Sequence, residues 1–319
     1  MPQRFGFIGL GNLGRHLAAS LVRAGFDVTV HDLNPDTATD LVKAGAAWSA
    51  SPKATAARVD SVFTCLPSPA AVNAVVSGAN GLLAGLKRGG TWIDMSTNDR
   101  HEITRLAALA AERGITCLEA PVTGGVHKAA TGEITVIVGG DPAVYAAHRP
   151  AFEAMGGQVF YVGALGSASV IKVITNMLAF IHLVAAGEAL MLAKRGGLDL
   201  TQAFEVIKAS SGNSFVHETE SQVILSGSRD INFTMDLVSK DVGLFDAIAR
   251  QHHVPVELSP LIVDIFKDGE ARFGPREHSP NIIRRYEEPL GIKVLGTGFP
   301  AEMVDDELEE PGYEVVPRR

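Results

Sequence analysis

The chain has 319 residues, 46% of them hydrophobic and 20% charged, with a formal net charge of −8. That balance suits one large or two ordinary soluble globular domains and supplies ample apolar material for their cores. The acidic balance argues against a nucleic-acid partner, and two cysteines, Cys65 and Cys117, are too few for a disulfide framework. They read as buried thiols in a reducing compartment. The N-terminal segment MPQRFGFIGLGNLG lacks the long apolar region of a secretory leader. A cytoplasmic protein is therefore expected.

The first half alternates short β-rich runs with helical stretches. RFGFIGL, DVTVHDL, SVFTCLP, TWIDMS, TCLEAPV, ITVIVGG and QVFYVG are rich in Val, Ile and Phe and bounded by Gly, Pro, Asp or Ser, which predicts strands. NLGRHLAASLVRAG and RHEITRLAALAAERG between them end in Gly, as helices prefer to. Strand alternating with helix predicts a doubly wound, mostly parallel α/β sheet.

The first strand runs into Gly9, Gly11 and Gly14, spaced G-x-G-x-x-G at the opening of a helix. Gly9 permits the turn, Gly11 lets backbone approach a pyrophosphate, and Gly14 allows close helix–strand packing. With Asn12 and Leu13 between them, these residues predict a dinucleotide loop at a helix N-terminus. The second strand ends at Asp32, eighteen residues beyond Gly14, where an acid would bond an adenosine ribose. A carboxylate repels a 2′-phosphate, and Leu33-Asn34-Pro35 adds no cation, so NAD is expected rather than NADP.

Ligands of doubly wound sheets sit beyond the C-terminal ends of the strands. CLPSP offers Leu66 and Pro67 to line an adenine or ribose. IDMSTND offers the hydroxyls of Ser96 and Thr97 to a nicotinamide ribose or a substrate. EAPVTGG offers Thr123, Gly124 and Gly125, a hydroxyl followed by bare backbone N–H groups, which suits a carboxylate. Ordinary turn chemistry is the competing reading of each. No metal-ligand cluster is expected.

After Gly166 the β signal stops and the segments look helical to about residue 290. The expected division is a dinucleotide-binding domain over 1–163, an all-helical substrate and dimerisation domain over 164–289, and an acidic extension over 290–319. The apolar stretch 173–195 contains Asn176, His182 and Glu188, so a buried helix is expected rather than a membrane span. Its length calls for cover from a second copy, hence a homodimer or homotetramer.

Lys172 stands just before that stretch, four residues from Asn176 and on the same helix face. A buried ammonium loses hydration worth several kcal/mol unless it is paired, neutralised or used. One reading makes it a proton carrier near neutral pH, with Asn176 holding the same substrate oxygen. The other lets it snorkel to solvent near a helix start.

The motifs GFIGLGNLG, APVTGG, GSASVIKVITNM and FTMDLVSKDVGL, in that order, are specific. Over about Phe5 to Ile283 the chain resembles the β-hydroxyacid dehydrogenases, relatives of 3-hydroxyisobutyrate and tartronate semialdehyde dehydrogenases. The resemblance implies an N-terminal Rossmann domain followed by an all-α C-terminal domain. It implies Lys172 as catalytic acid/base, Asn176 as its partner, and Thr123, Gly124 and Gly125 as binders of a small carboxylate substrate. Lys240 would then come near the nicotinamide, with Phe233 and Asp241 as further candidates. The family usually has Asn at Thr175 and Gly at Lys128, so Thr175, Lys128 and His127 bear on which acid is used. The implied activity is hydride transfer between NAD and a small 3-hydroxy acid. The rivals are an imine reductase, which generally lacks the lysine, a 6-phosphogluconate-type decarboxylase, which wants a basic phosphate pocket, and a non-catalytic NAD-binding regulator.

Overall fold

A computed structural model describes residues 3–305. The chain forms two compact units, one running to Lys172 and the other beginning at Val173.

Among the described residues the first unit is built on nine strands: β1 Arg4–Ile8, β2 Asp27–His31, β3 Ala47–Trp48, β4 Ser61–Thr64, β5 Thr91–Asp94, β6 Thr116–Glu119, β7 Val122–Thr123, β8 Thr135–Gly140 and β9 Gln158–Gly163. Its helices are α1 Gly14–Arg23, α2 Thr39–Lys43, α3 Pro52–Ala56, α4 Pro69–Ser77, α5 Arg100–Glu112, α6 Val126–Thr131 and α7 Pro142–Met155. The strand order is β3-β2-β1-β4-β5-β6-β8, with β7 and β9 also paired to β8. From β3 to β6 all pairs are parallel. Such strands are covered on both faces and become continuously apolar. In β1, Phe5 and Phe7 pack with Leu17 and Leu21 of α1, while Ile8 joins Val62, Val72 and Trp92 in a separate cluster.

The sheet departs from a parallel pattern at β8, which is antiparallel to both β6 and β7. The reason is local. TCLEAPV runs as one extended stretch in which Ile137 N–H donates to Pro121 O (2.9 Å) between the two ladders. The chain then returns through residues 124–134, too short a link for a parallel crossover.

The longest element, α8 (Ser167–Arg195), begins among the last residues of the first unit and continues into the second. There it is followed by α9 Leu200–Lys208, α10 Phe215–Ser226, α11 Met235–Gln251, α12 Leu258–Phe273 and α13 Arg284–Leu290. Helix α8 is long and apolar enough to cross a membrane by length and composition. Yet Phe180, Leu183, Val184, Leu190 and Met191 belong to a helical core with Leu225, Met235 and Phe266. Gly269 keeps that core tight, since a Cβ there would stand 2.6 Å from Ile282 Cδ1.

Of the expected extension 290–319, residues 306–319 lie outside the described residues. The preceding part packs on its own unit. Val294 is buried, Phe299 meets Phe204 edge to face at 5.1 Å, and Gly296 N–H donates to Leu225 O (2.9 Å).

Candidate functional site

The turn from β1 to α1 is made by glycine in two different ways. Gly9 has φ +98°, and a Cβ on it would lie 2.2 Å from Cys65 O. A Cβ on Gly14 would lie 2.0 Å from Gly9 O, so the helix can start against the turn only without a side chain. At Gly11 a Cβ would meet nothing within 4 Å. That glycine is not needed by the protein's own packing, which leaves open space in front of the loop. No side chain caps the helix at Leu13, and its first turn carries no acid. Its leading N–H groups and positive dipole end therefore favour a phosphate.

Asp32 is fixed beside this loop. Its Oδ2 accepts from Leu10 N–H (2.7 Å) and its Oδ1 from Asn34 N–H (2.9 Å). The residues that follow, Leu33, Asn34 and Pro35, carry no positive charge. Open space at Gly11, uncapped amides and an anchored acid together fit a dinucleotide held by Gly9, Gly11, Asn12, Leu13, Gly14 and Asp32.

At the ends of β4 and β5 the sequence-predicted residues join one buried network. Asp94 accepts from Thr64 Oγ1 (2.8 Å), Asn98 Nδ2 (2.8 Å) and Ser96 N–H (3.2 Å). Trp92 Nε1 donates to Thr64 Oγ1 (3.0 Å). Burial pushes the Asp94 carboxyl above its ordinary pKa, against hydrogen bonds from Ser96, Asn98 and Thr64. Ser96 Oγ accepts from Leu66 N–H (2.9 Å). Ser96 Oγ thereby holds the start of the Leu66–Pro67 turn, and Thr97 beside it is half-buried.

Thr123 ends β7, and Gly124 (φ +120°) and Gly125 (φ +93°) follow in conformations that side chains resist. The Lys128 stem lies against this turn: a Cβ on Gly124 would be 3.3 Å from Lys128 Cδ. His127 is half-buried on the same short helix. Four residues before Thr123, the buried Glu119 carboxylate accepts from Gly166 N–H (2.6 Å), Ala168 N–H (2.8 Å), Ser169 N–H (3.0 Å) and Ser169 Oγ. Burial raises its pKa and these hydrogen bonds oppose the rise.

Lys172 is buried, 7% exposed. Asn176, one turn later, is also buried and donates from Nδ2 to Asp241 Oδ2 (2.6 Å). That bond fixes which way the amide faces. Lys240 Nζ stands 2.9 Å from Asp241 Oδ1, so Asp241 joins Asn176 to Lys240. Phe233 is half-buried and packs on Phe180 with ring centroids 5.1 Å apart. Thr175 is half-buried on α8.

Two buried acids, Glu119 and Asp94, organise these segments and were passed over in the sequence. A signal existed. Each is an acid at the end of an otherwise apolar strand, TCLE and TWID, where an unpaired carboxylate would be costly.

The comparisons with known proteins agree with this geometry. Residues 4–163 match the model of the NAD binding domain of 6-phosphogluconate dehydrogenase. Residues 166–286 match the model described as NAD-binding of NADP-dependent 3-hydroxyisobutyrate dehydrogenase. The chain is 33% identical over 294 residues to 2-(hydroxymethyl)glutarate dehydrogenase of Eubacterium barkeri, covering 92% of this chain and 98% of that protein. It is 35% identical over 269 residues to mitochondrial 3-hydroxyisobutyrate dehydrogenase of Mus musculus, covering 82% and 80%. Among solved structures, 3-hydroxyisobutyrate dehydrogenase of Mycobacterium tuberculosis with L-serine superposes with a TM-score of 0.80 at 29% identity, covering 90% of this chain and 99% of that one. Glycine loop, paired carboxylate networks and buried lysine thus stand in a chain that belongs to the β-hydroxyacid dehydrogenase family, hydroxyacid dehydrogenases that use a nicotinamide cofactor.

Proposed function

We propose that the protein oxidises a small 3-hydroxy acid reversibly, with NAD as the cofactor and Lys172 as the general acid/base. The carrying observation is the lysine itself: a buried residue on the face of α8 that also holds Asn176. A lysine amine on a buried helix face is suited to carry a proton to and from a bound hydroxyl. When bound, the nicotinamide supplies the hydride acceptor. The chain's own residues do the rest. Thr123 and the N–H groups of Gly124 and Gly125 hold the substrate carboxylate. The Lys172 amine takes the hydroxyl proton during oxidation and returns it during reduction. Asn176, its amide orientation set by Asp241, steadies the same oxygen. Asp32 favours NAD because its fixed carboxylate faces a ribose hydroxyl better than a 2′-phosphate.

Lys172→Ala is the test. A positioned proton carrier contributes about 10²–10⁴ in rate, so kcat should fall by that factor while NAD affinity by titration calorimetry stays within twofold. Near-normal turnover in Lys172→Ala would remove the lysine from the chemistry. The same assay, run over a panel of 3-hydroxy acids with NAD and NADP in parallel, identifies substrate and cofactor.

A further inference from the structure

We propose that Glu119 is a positioning residue: its carboxylate clamps the first turn of α8 to the end of β6 and thereby fixes where the Lys172 amine stands. This rests on the reading of Lys172 as the acid/base.

A helix N-terminus leaves its first N–H groups without intrahelical partners, and these are ordinarily satisfied by a cap from the adjoining residue. Ser51, Ser68, Asp99 and Asp141 do this for α3, α4, α5 and α7. Helix α8 is different. Its leading amides at Gly166, Ala168 and Ser169 all donate to Glu119, 47 to 50 residues earlier in the chain. Ser169 Oγ donates as well, so both carboxylate oxygens are in use. A local cap fixes only where a helix begins. A cap from the sheet fixes the helix in place and in rotation against the strand end.

Glu119 is itself held tightly. It lies in register opposite Gly139 of β8, and a Cβ on Gly139 would come 2.6 Å from Glu119 Oε1. The following residue is pinned too, with Ala120 N–H donating to Asp94 O (2.6 Å). Downstream, Ser169 and Lys172 are three residues apart and share a helix face. A slip of the clamped turn therefore moves the amine directly. Upstream, the extended stretch from Glu119 leads into Thr123–Gly125. One carboxylate thus joins the loop assigned to the substrate carboxylate to the turn that carries the base. With every acceptor position occupied by the helix, Glu119 acts through Lys172 rather than on the substrate.

The experiment compares Glu119→Gln, Ser169→Ala and Ser61→Ala in the full chain. Glu119→Gln keeps the shape but turns an acceptor into a donor facing Ser169. A displacement near 1 Å at a reacting group lowers rates by about 10²-fold, so kcat should fall at least tenfold while NAD Kd stays within twofold. Ser169→Ala should lower kcat by a smaller factor in the same pattern. Ser61→Ala breaks a buried bond to His148 away from these groups. It should lower Tm with kcat unchanged, which separates lost positioning from lost stability. A Glu119→Gln enzyme with wild-type kcat overturns the proposal. Should Glu119→Gln fail to fold, Ser169→Ala decides: wild-type kcat there overturns it, and a fall beyond that of Ser61→Ala supports it. Lys172→Ala keeps the two readings apart. If that variant is inactive and Glu119→Gln is normal, only the clamp is refuted. If Lys172→Ala is active, the acid/base reading falls first.

Discussion

Three glycines spaced as one motif do different physical work, and the difference is measurable. At Gly14 an added methyl meets backbone 2.0 Å away, which a flexible side chain cannot relieve. At Gly11 it meets open space. Gly14→Ala should therefore unfold at lower urea concentration than the native chain. Gly11→Ala should unfold as the native apo-protein does, within about 0.5 kcal/mol, yet bind NAD at least tenfold more weakly. Equal losses of stability in both variants would contradict this division. The loop was legible in the sequence because spacing, preceding strand and following helix pointed the same way. The bond that Ser96 Oγ accepts from Leu66 N–H was not, because the two residues lie 30 apart in the chain. Glu119 was missed because its partners lie 47 or more residues away, beyond any local pattern.

Among the elements, the all-helical character after Gly166 and the strands before it were both readable from periodicity and turn residues. Strand direction was not. TCLEAPV and ITVIVGG have the composition of buried strands either way round, and only the short link between them makes β8 run antiparallel. In the helical unit, the turn after α10 is tied to α13 by a buried ion pair. Arg229 Nη2 stands 2.8 Å from Glu287 Oε1, and Glu287 also accepts from Val294 N–H (2.8 Å). Lys293 Nζ is farther off, at 3.4 Å. Removing one member of such a pair strands the other, so Arg229→Met should destabilise by roughly 3–5 kcal/mol. Adding Glu287→Gln should recover part of that loss. Urea unfolding followed by far-ultraviolet circular dichroism measures both. Additive losses in the double variant would show that the two residues are not coupled.

For the whole molecule, buried titratable groups set opposing slopes of stability with pH. Burial lowers the His148 pKa below 6.5, and its ring accepts from Ser61 while donating to Val144 O. The unfolded chain takes up a proton that the folded one resists. The histidine's contribution is therefore complete above pH 6.5 and disappears as pH falls below it. Glu220 acts in the other direction. Its Oε2 is buried without a hydrogen-bond partner, and burial raises its pKa from 4.5 to about 8. Its contribution is complete below pH 4.5 and is lost as pH rises toward 8. Glu220→Gln should flatten the decline of the urea midpoint across that interval; an unchanged slope would rule out this origin. The two tryptophans add a practical consequence. Trp48 and Trp92 are the chain's only indoles, and both lie in the first unit, Trp92 fully enclosed and bonded to Thr64. Selectively excited tryptophan emission therefore watches the nucleotide-binding half alone, while far-ultraviolet ellipticity weighs the helix-rich half most heavily. Recording both on one sample tells, without any label, whether the halves melt together or in sequence.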